Sequence, residues 1–445
     1  MASIETPPDL TAILSQQWAQ VFPLLEKFKA VDQKGRYLHW HELKHRLPSS
    51  LDKHAAWGAI KLSRQAMRHE IDLKSADAQP FHFCVPGSLQ ASLHQIDRLL
   101  LPFSVASTHF TGEQESNRFL VESLMMEEAI SSAQLEGAAT TRKAAKAMLE
   151  TERTPRNEDE RMVFNNFALM KAVRAARAEP LSIDLIAHLH YTATQGTQNE
   201  QVIPGAFRQH DDVVVQGRHG EILHQPPPAA EIHRRLLRLC SFANAPHDGK
   251  AGRDFIHPVI KAVILHFMTA YEHSFADGNG RTARALFYWF MLKNGYWMFE
   301  YISISALLKN APVQYGESYL FTETDGFDLT YFIDYQFRVI GRATENFFAY
   351  LEQRRKARHD VLALLDQMGI TGRLNERQGQ ILHKALRNPG RVFTVKEVKH
   401  DFGVTETTAR LDLDKLTQMK VFALARDGKV VNYVSRADAE QQLRR

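Results

Sequence analysis

The sequence predicts a mainly α-helical protein with one small β-hairpin near its middle and a C-terminal module of three helices and a second hairpin. Three observations carry this. Apolar residues recur at helical spacing over most of the 445 residues. Two short β-type runs, Asp212 to Gln216 and Glu221 to His224, flank a glycine-containing turn from Gly217 to Gly220. Beyond Leu374, helical runs separated by Pro389-Gly390 and Gly403 lead into Val421 to Arg426, Asp427-Gly428 and Lys429 to Val434, which read as a hairpin. A chain of this length exceeds one hydrophobic core, so roughly two to four domains are expected. The breaks place an N-terminal, mostly helical extension over 1–117, a core over 118–368 and the C-terminal module over 374–445.

Composition narrows the class. With 44% hydrophobic and 24% charged residues the chain reads as globular rather than disordered. The net charge is +4, yet from Leu374 to Arg445 there are 14 Lys and Arg against 9 Asp and Glu, a net of +5, so the basic excess is C-terminal. Cys84 and Cys240 lie in apolar stretches without CxxC spacing and read as buried free thiols. The first residues lack a basic segment followed by an apolar one, and no run approaches the ~20 apolar residues of a membrane span. A reducing cytoplasm and no membrane partner are the expectation.

Taken in order, Leu10 to Lys29 and Ala55 to Glu70 are helical patches within the extension. His41-Glu42-Leu43-Lys44-His45 fits the HExxH zinc pattern. Pro48 interrupts any helix there, and Pro48 and Leu51 stand where the extended form needs Gly and His, so a solvated, His-rich helix end is the better reading. Arg118 to Leu149 reads as a helix broken at Gly137, with Thr140 or Thr141 capping the next one. Ser132 and Glu136 share a face of the first helix. An acid at a helix C-terminus opposes the macrodipole, so Glu136 calls for a cationic partner or solvent.

Helical periodicity resumes over Met162 to Ala178, Ile183 to Tyr191 and, past the hairpin and Pro226-Pro227-Pro228, Ala229 to Phe242. A buried helix from Pro258 to Tyr271 then delivers His273 into a loop, and a second apolar helix follows from Arg281. The loop gathers an imidazole (His273), a carboxylate (Asp277), an amide (Asn279), two glycines (Gly278, Gly280) and two guanidiniums (Arg281, Arg284) within twelve residues. The amides of Gly278 to Arg281 lie at a helix N-terminus, where orphan donors and the dipole favour a phosphate. Gly278 to Ala283 also fits the relaxed GxGxx(G/A) pattern, but a helix rather than a strand precedes it, which argues against a Rossmann site.

At every specified position the stretch from His273 to Arg284 resembles the Fic-family signature HxFx(D/E)GNGRxxR. Pro204-Gly205-Ala206-Phe207-Arg208 resembles the turn before the family's flap, and Ser132 to Gly137 resembles its inhibitory (S/T)xxxE(G/N) motif. The similarity runs from about 118 to about 300 and implies a Fic-type helical core with an inhibitory helix over about 118–137.

The resemblance implies His273 as general base for a target hydroxyl, Asp277 as the Mg²⁺ ligand, and Asn279 with the backbone of Gly278 and Gly280 as the anion hole. It implies Arg281 on the β-phosphate and Arg284 on the γ-phosphate of ATP, Phe275 anchoring the loop, and Glu136 inhibiting by pairing with Arg284. Ser274 replaces the proline often found after the histidine. Gly280 stands where a kinase-like branch of the family has lysine, which favours transfer of AMP over phosphate. A protein target would lie along the flap, about Asp212 to His224.

A long helix from Ala343 to Gln367 leads to the C-terminal module, whose helices (Asn375 to Arg387, Thr394 to Asp401, Thr405 to Met419) and hairpin resemble a winged helix-turn-helix domain. Its third helix carries Arg410, Lys415 and Lys420 against Glu406, Asp412 and Asp414, a net of zero that leaves its partner open between DNA and protein, a homodimer included. The reading is an autoinhibited transferase of AMP to Ser, Thr or Tyr hydroxyls of proteins, itself included. The alternatives are a nucleotide-sensing DNA-binding regulator and a hydrolase that removes AMP at the same site.

Overall fold

The computed structural model describes residues 4–101, 114–151, 153–217, 219–370, 372–427 and 430–443. The chain divides into two compact units, 1–344 and 345–445, and the division falls inside one long helix.

In the first unit, α1 (Leu10–Val21), α2 (Trp40–Leu43) and α3 (Lys53–Gln65) open the chain. Asp9 and Asp52 cap α1 and α3 by accepting from Ala12 N and Ala55 N. Because α2 ends at Leu43, His45 lies outside it; the HExxH residues do not share a helix face, and among the described residues no group of three ligating side chains could hold a metal. An antiparallel pair that the sequence reading missed follows, β1 (His69–Lys74) and β2 (Pro80–Phe83). Ile71 and Leu73 point inward while Glu70, Asp72 and Lys74 face out, the period-two pattern of a half-buried strand.

Next come α4 (Gly87–Leu100), α5 (Gln114–Leu135), α6 (Arg142–Glu150), α7 (Glu158–Ala175) and α8 (Ile183–Thr194). Gly137, at φ +103°, makes the left-handed turn after α5, and Thr141 caps α6 by accepting from Ala144 N. Helix α7 starts earlier than the apolar periodicity predicts. Asn157 caps it, and Glu158, Asp159 and Glu160 suit the positive end of its dipole.

The central hairpin is shorter than expected, β3 (Val215–Gln216) against β4 (Ile222–His224), with a register shift between Val215 and Gln216. Asp211, just upstream, is held instead by Arg208 and by Ala229 N. After α9 (Ile232–Asn244), the unit centres on α10 (Pro258–Glu272) packed along α11 (Asn279–Lys293). From Arg281 to Leu292 every residue of α11 is buried, including Phe287, Tyr288 and Trp289. Burying each such ring is worth about 1.5–3 kcal/mol relative to exposure. Helices α12 (Ser305–Leu308), α13 (Pro312–Thr324) and α14 (Thr330–Gln367) follow. Helix α14 begins well before Ala343 because its poorly helical aromatic start, Tyr331 and Phe332, is buried.

The second unit contains the end of α14, then α15 (Glu376–Arg387), β5 (Val392–Phe393), α16 (Val395–Phe402), α17 (Glu406–Gln418), β6 (Phe422–Asp427), β7 (Val430–Ser435) and α18 (Ala439–Leu443). Asn375 and Gln378 form a capping box on α15, Thr394 and Thr405 cap α16 and α17, and Gly403 ends α16 at φ +64°. Strand β5 adds a third member to the expected hairpin, in the order β5-β7-β6. Ile381, Leu382, Ala409, Leu413, Leu416 and Phe422 build the unit's core.

Charge on α17 is not what a residue count suggests. Asp412 is buried and bound by Arg377 and Gln378, and Asp414 accepts from Tyr433 Oη. Among the exposed charges Arg410 pairs with Glu406, and Lys415 and, just past the helix end, Lys420 outweigh the half-buried Asp414. Cys84 and Cys240 are buried free thiols, as expected. Among the described residues no helix is long and apolar enough to cross a membrane.

Candidate active site

Helix α10 ends at His273, whose backbone is left-handed (φ 44°), an uncommon conformation for a residue with a Cβ. The surroundings compel it. Arg208 is buried and donates through Nε to the His273 carbonyl at 2.9 Å, while its backbone amide donates to the Ser274 carbonyl at 3.0 Å. Its remaining nitrogens hold His210 O, Asp211 Oδ1 and Pro227 O, so one guanidinium joins the loop to both ends of the hairpin. One residue before His273, Glu272 takes a bidentate contact from Arg235 at 2.6 and 2.9 Å. Arg235 also donates to the carbonyls of Lys74 and Ser75, so the missed β1–β2 hairpin braces the end of α10.

The His273 ring is half-buried, with Nδ1 3.3 Å from Ala270 O, which leaves Nε2 as the proton acceptor. Burial first, and then the His224 and Arg208 charges, push its pKa down to about 4, so the imidazole is neutral at physiological pH. His224 is its opposite. Both ring nitrogens face acceptors, Glu323 Oε2 and Tyr271 O, each at 2.7 Å; burial works against its charge, but Glu323 outweighs it and raises the pKa.

Beyond His273 the loop is fixed from below. Phe275 is buried, and its ring stacks on His190 with centroids 3.7 Å apart. His190 Nδ1 accepts from Gly205 N at 3.0 Å, so Nε2 carries the proton donated to Asp277 O at 2.8 Å. Asn279 uses both side-chain atoms on the Phe275 backbone, accepting from N at 3.0 Å and donating to O at 2.8 Å. Its side chain thus shapes the loop, and the donors offered to an anion are the first-turn amides of α11. Gly278 has φ +80°, and a Cβ there would stand 2.8 Å from Thr194 Cγ2.

Asp277 is half-exposed at 51%; its Oδ1 accepts from Gly278 N, and Oδ2 is 3.5 Å from Arg281. A single open carboxylate fits Mg²⁺, which takes one or two carboxylates and completes its shell from phosphates and water. Arg281 is buried and donates to Ala193 O, while its Nε has no protein partner.

Arg284 is 2% exposed and faces α5. Its Nε and Nη2 donate to Ser132 Oγ at 3.0 and 2.7 Å, and Nη2 donates to Glu136 Oε1 at 2.8 Å. Burial works against the guanidinium charge and Glu136 restores it, raising its pKa. A Cβ on Gly280 would stand 2.4 Å from Glu136 Oε1, so that glycine leaves room for the carboxylate. The structure therefore brings His273, Asp277, Gly278, Asn279, Gly280, Arg281, Arg284, Ser132 and Glu136 together around one loop. Arg208 and His224 appear in the sequence only as parts of the flap motif and the flap, without a role in the site, and nothing in the local sequence points at His190.

Residues 180–291 match the family model described as Fic/DOC family. Over 129 residues, 28% of this chain, it is 30% identical to Protein adenylyltransferase Fic of Drosophila virilis, covering 24% of that protein. It is 28% identical to the protein of the same name from Drosophila melanogaster, covering 23%. The chain thus spans about a quarter of the length of the curated relatives it matches. Among solved structures, a Fic family protein from Desulfovibrio desulfuricans G20 shares the fold, with a TM-score of 0.51 at 15% identity over 77% of this chain and 95% of that one.

Proposed function

We propose that this Fic-family chain is a protein adenylyltransferase that moves AMP from ATP to a protein hydroxyl and is held down by its own helix α5. The observation that supports it most is the loop 273–284. A neutral imidazole stands beside the first-turn amides of α11 and two buried guanidiniums, with no side chain at Gly280 to block the phosphates.

In the proposed reaction His273 Nε2 takes the proton of the target hydroxyl as its oxygen bonds to the α-phosphorus. The bond from that phosphorus to the bridging oxygen breaks, and pyrophosphate leaves. First-turn amides and Arg281 neutralise the charge that shifts toward the leaving group. Asp277 would hold Mg²⁺, which when bound supplies Lewis-acid neutralisation of the phosphates. The hairpin suits an extended target segment, since Ile222 is 61% exposed on a two-stranded ladder with open edges. Two buried free thiols fit the cytoplasm as the place of action.

Glu136 occupies the Arg284 guanidinium that the γ-phosphate would need, which supports autoinhibition. The test is incubation with α-labelled and γ-labelled ATP of the parent, His273→Ala and Glu136→Gly forms. Protein label from the α-position should rise in Glu136→Gly and vanish with His273→Ala. Persistent γ-label would mean a kinase, and no label in any form would sink the reading. Removal of AMP is tested with the labelled product of Glu136→Gly as substrate for the parent form.

A second role is favoured by the exposed lysines at the end of α17, Lys415 and, just past it, Lys420, which suit contact with DNA phosphates. A gel shift with the full chain should weaken with salt and with Lys415→Glu; binding indifferent to both would point to a protein partner at that face.

A further inference from the structure

Helix α5 carries a second acid whose place is unlike that of Glu136. Glu128 is 3% exposed and lies eight residues, about two turns, before Glu136, so Glu128, Ser132 and Glu136 form one row. Its Oε2 accepts from Tyr288 Oη at 2.8 Å, Ser303 Oγ at 2.7 Å and Ser305 N at 3.1 Å, and its Oε1 accepts from Ser305 Oγ. Tyr288 stands one turn beyond Arg284 on α11, so the acidic row of α5 runs beside the Arg284–Tyr288 row of α11. Burial pushes the Glu128 pKa up, and the hydroxyls of Ser305, Ser303 and Tyr288 oppose that.

A buried carboxylate is costly compared with an apolar side chain of similar size. It does something apolar packing does not. Buried apolar neighbours on α5, such as Met125, Ala129 and Ala133, set its packing without fixed directions of contact, whereas a carboxylate with donors from three residues has one position at which all are satisfied. A slip of one residue moves a helix by about 1.5 Å and turns it by about 100°. That would lift Glu136 off Arg284 altogether.

We propose that Glu128 is a positioning residue that fixes the register of α5 on α11, by taking hydrogen bonds from Tyr288, Ser303 and Ser305, so that Ser132 and Glu136 both reach Arg284. Its consequence for activity rests on Glu136 being inhibitory; the geometry does not.

The test uses the full chain and two readouts. Amide hydrogen exchange over 129–136 should quicken at least about tenfold in Glu128→Ala, little in Glu128→Gln, and measurably in Ser303→Ala/Ser305→Ala, which keeps the acid and removes two donors. Exchange over 258–293 should not change. If Glu128→Ala fails to fold, the double serine variant carries the test. Unchanged exchange over 129–136 in the folded variants overturns the proposal. The α-label should rise in Glu128→Ala and rise no further when that change is added to Glu136→Gly; a further rise overturns it. Quickened exchange in Glu128→Ala with no gain in label in both Glu128→Ala and Glu136→Gly would leave the positioning role standing and remove inhibition by Glu136; a gain in Glu136→Gly alone overturns the link between them.

Discussion

Glu136→Ala should separate the two phosphates that the site tells apart. In the parent chain Arg284 Nη2 donates to Glu136 Oε1 at 2.8 Å, and Glu136 is 27% exposed, so the pair is only partly screened by solvent. A hydrogen bond to a charged group is worth about 1.5–3 kcal/mol. A γ-phosphate competing for Arg284 must displace that bond, whereas the β-phosphate of ADP need not. Removing Glu136 should therefore tighten an uncleavable ATP analogue by about tenfold to about a hundredfold, at about 1.4 kcal/mol per factor of ten, and leave ADP nearly unchanged. Glu136→Gln should fall between, since its carbonyl accepts without the charge. Ser132→Ala should also favour ATP, because Ser132 Oγ takes two of the Arg284 donors. Calorimetric titration of both nucleotides into each variant measures the ratio. An ATP-to-ADP ratio that Glu136→Ala leaves unmoved would refute the competition on which the reasoning depends.

Arg208→Lys should not rescue Arg208→Ala, because Nε, Nη1 and Nη2 each serve different acceptors across the loop and hairpin; both should destabilise the fold by about 3 kcal/mol or more in thermal unfolding, with loss of α-label. Gly278→Ala forces a Cβ into a left-handed position 2.8 Å from Thr194 Cγ2, and should cost about 1–3 kcal/mol in thermal unfolding. Acid should weaken the fold through its neutral histidines. Burial holds His190 and His273 to about 4 and His39 and His266 to about 3 in the folded chain, against about 6.5 unfolded. The unfolded chain thus binds more protons below that value, so this stability is fully present above about pH 6.5 and is lost as pH falls toward the folded values, at up to about 1.4 kcal/mol per pH unit for each. A urea midpoint equal at pH 7 and pH 5 would contradict it.

The parts of this fold that announce themselves locally are the ones the sequence makes legible. Pro258 at the first turn, a largely apolar helical run and a glycine-bearing loop mark α10 and α11, and Gly137 and Thr141 mark the break after α5. The β1–β2 hairpin was overlooked although Ile71 and Leu73 alternate with charged residues, because the segment is only a few residues long and follows directly on a helical pattern. Charge on α17 misled in the opposite direction, since a count does not show that Asp412 is turned inward on Arg377. Around the loop the limit is distance along the chain. His190 reaches Asp277 across 87 residues and Arg208 reaches His273 across 65, and neither partner's local pattern asks for the other.

Glu136 and Arg284 lie 148 residues apart, and their pairing follows from what a buried guanidinium requires. Arg284 is fully charged at 2% exposure, and a buried charge left without an anion costs about 3–5 kcal/mol. Vacating it therefore costs stability, which another anion brought to the same nitrogens would restore; Ser132 Oγ, an uncharged acceptor, and the Glu128 charge one turn away only soften the loss. This makes the acid of α5 and a terminal phosphate alternatives at one position rather than independent ligands. It also fixes the sign of a stability effect: without nucleotide Glu136→Ala should melt below the parent, and with the ATP analogue its melting temperature should rise by more than the parent's. A nucleotide-independent difference between the two would mean that Arg284 finds its anion elsewhere.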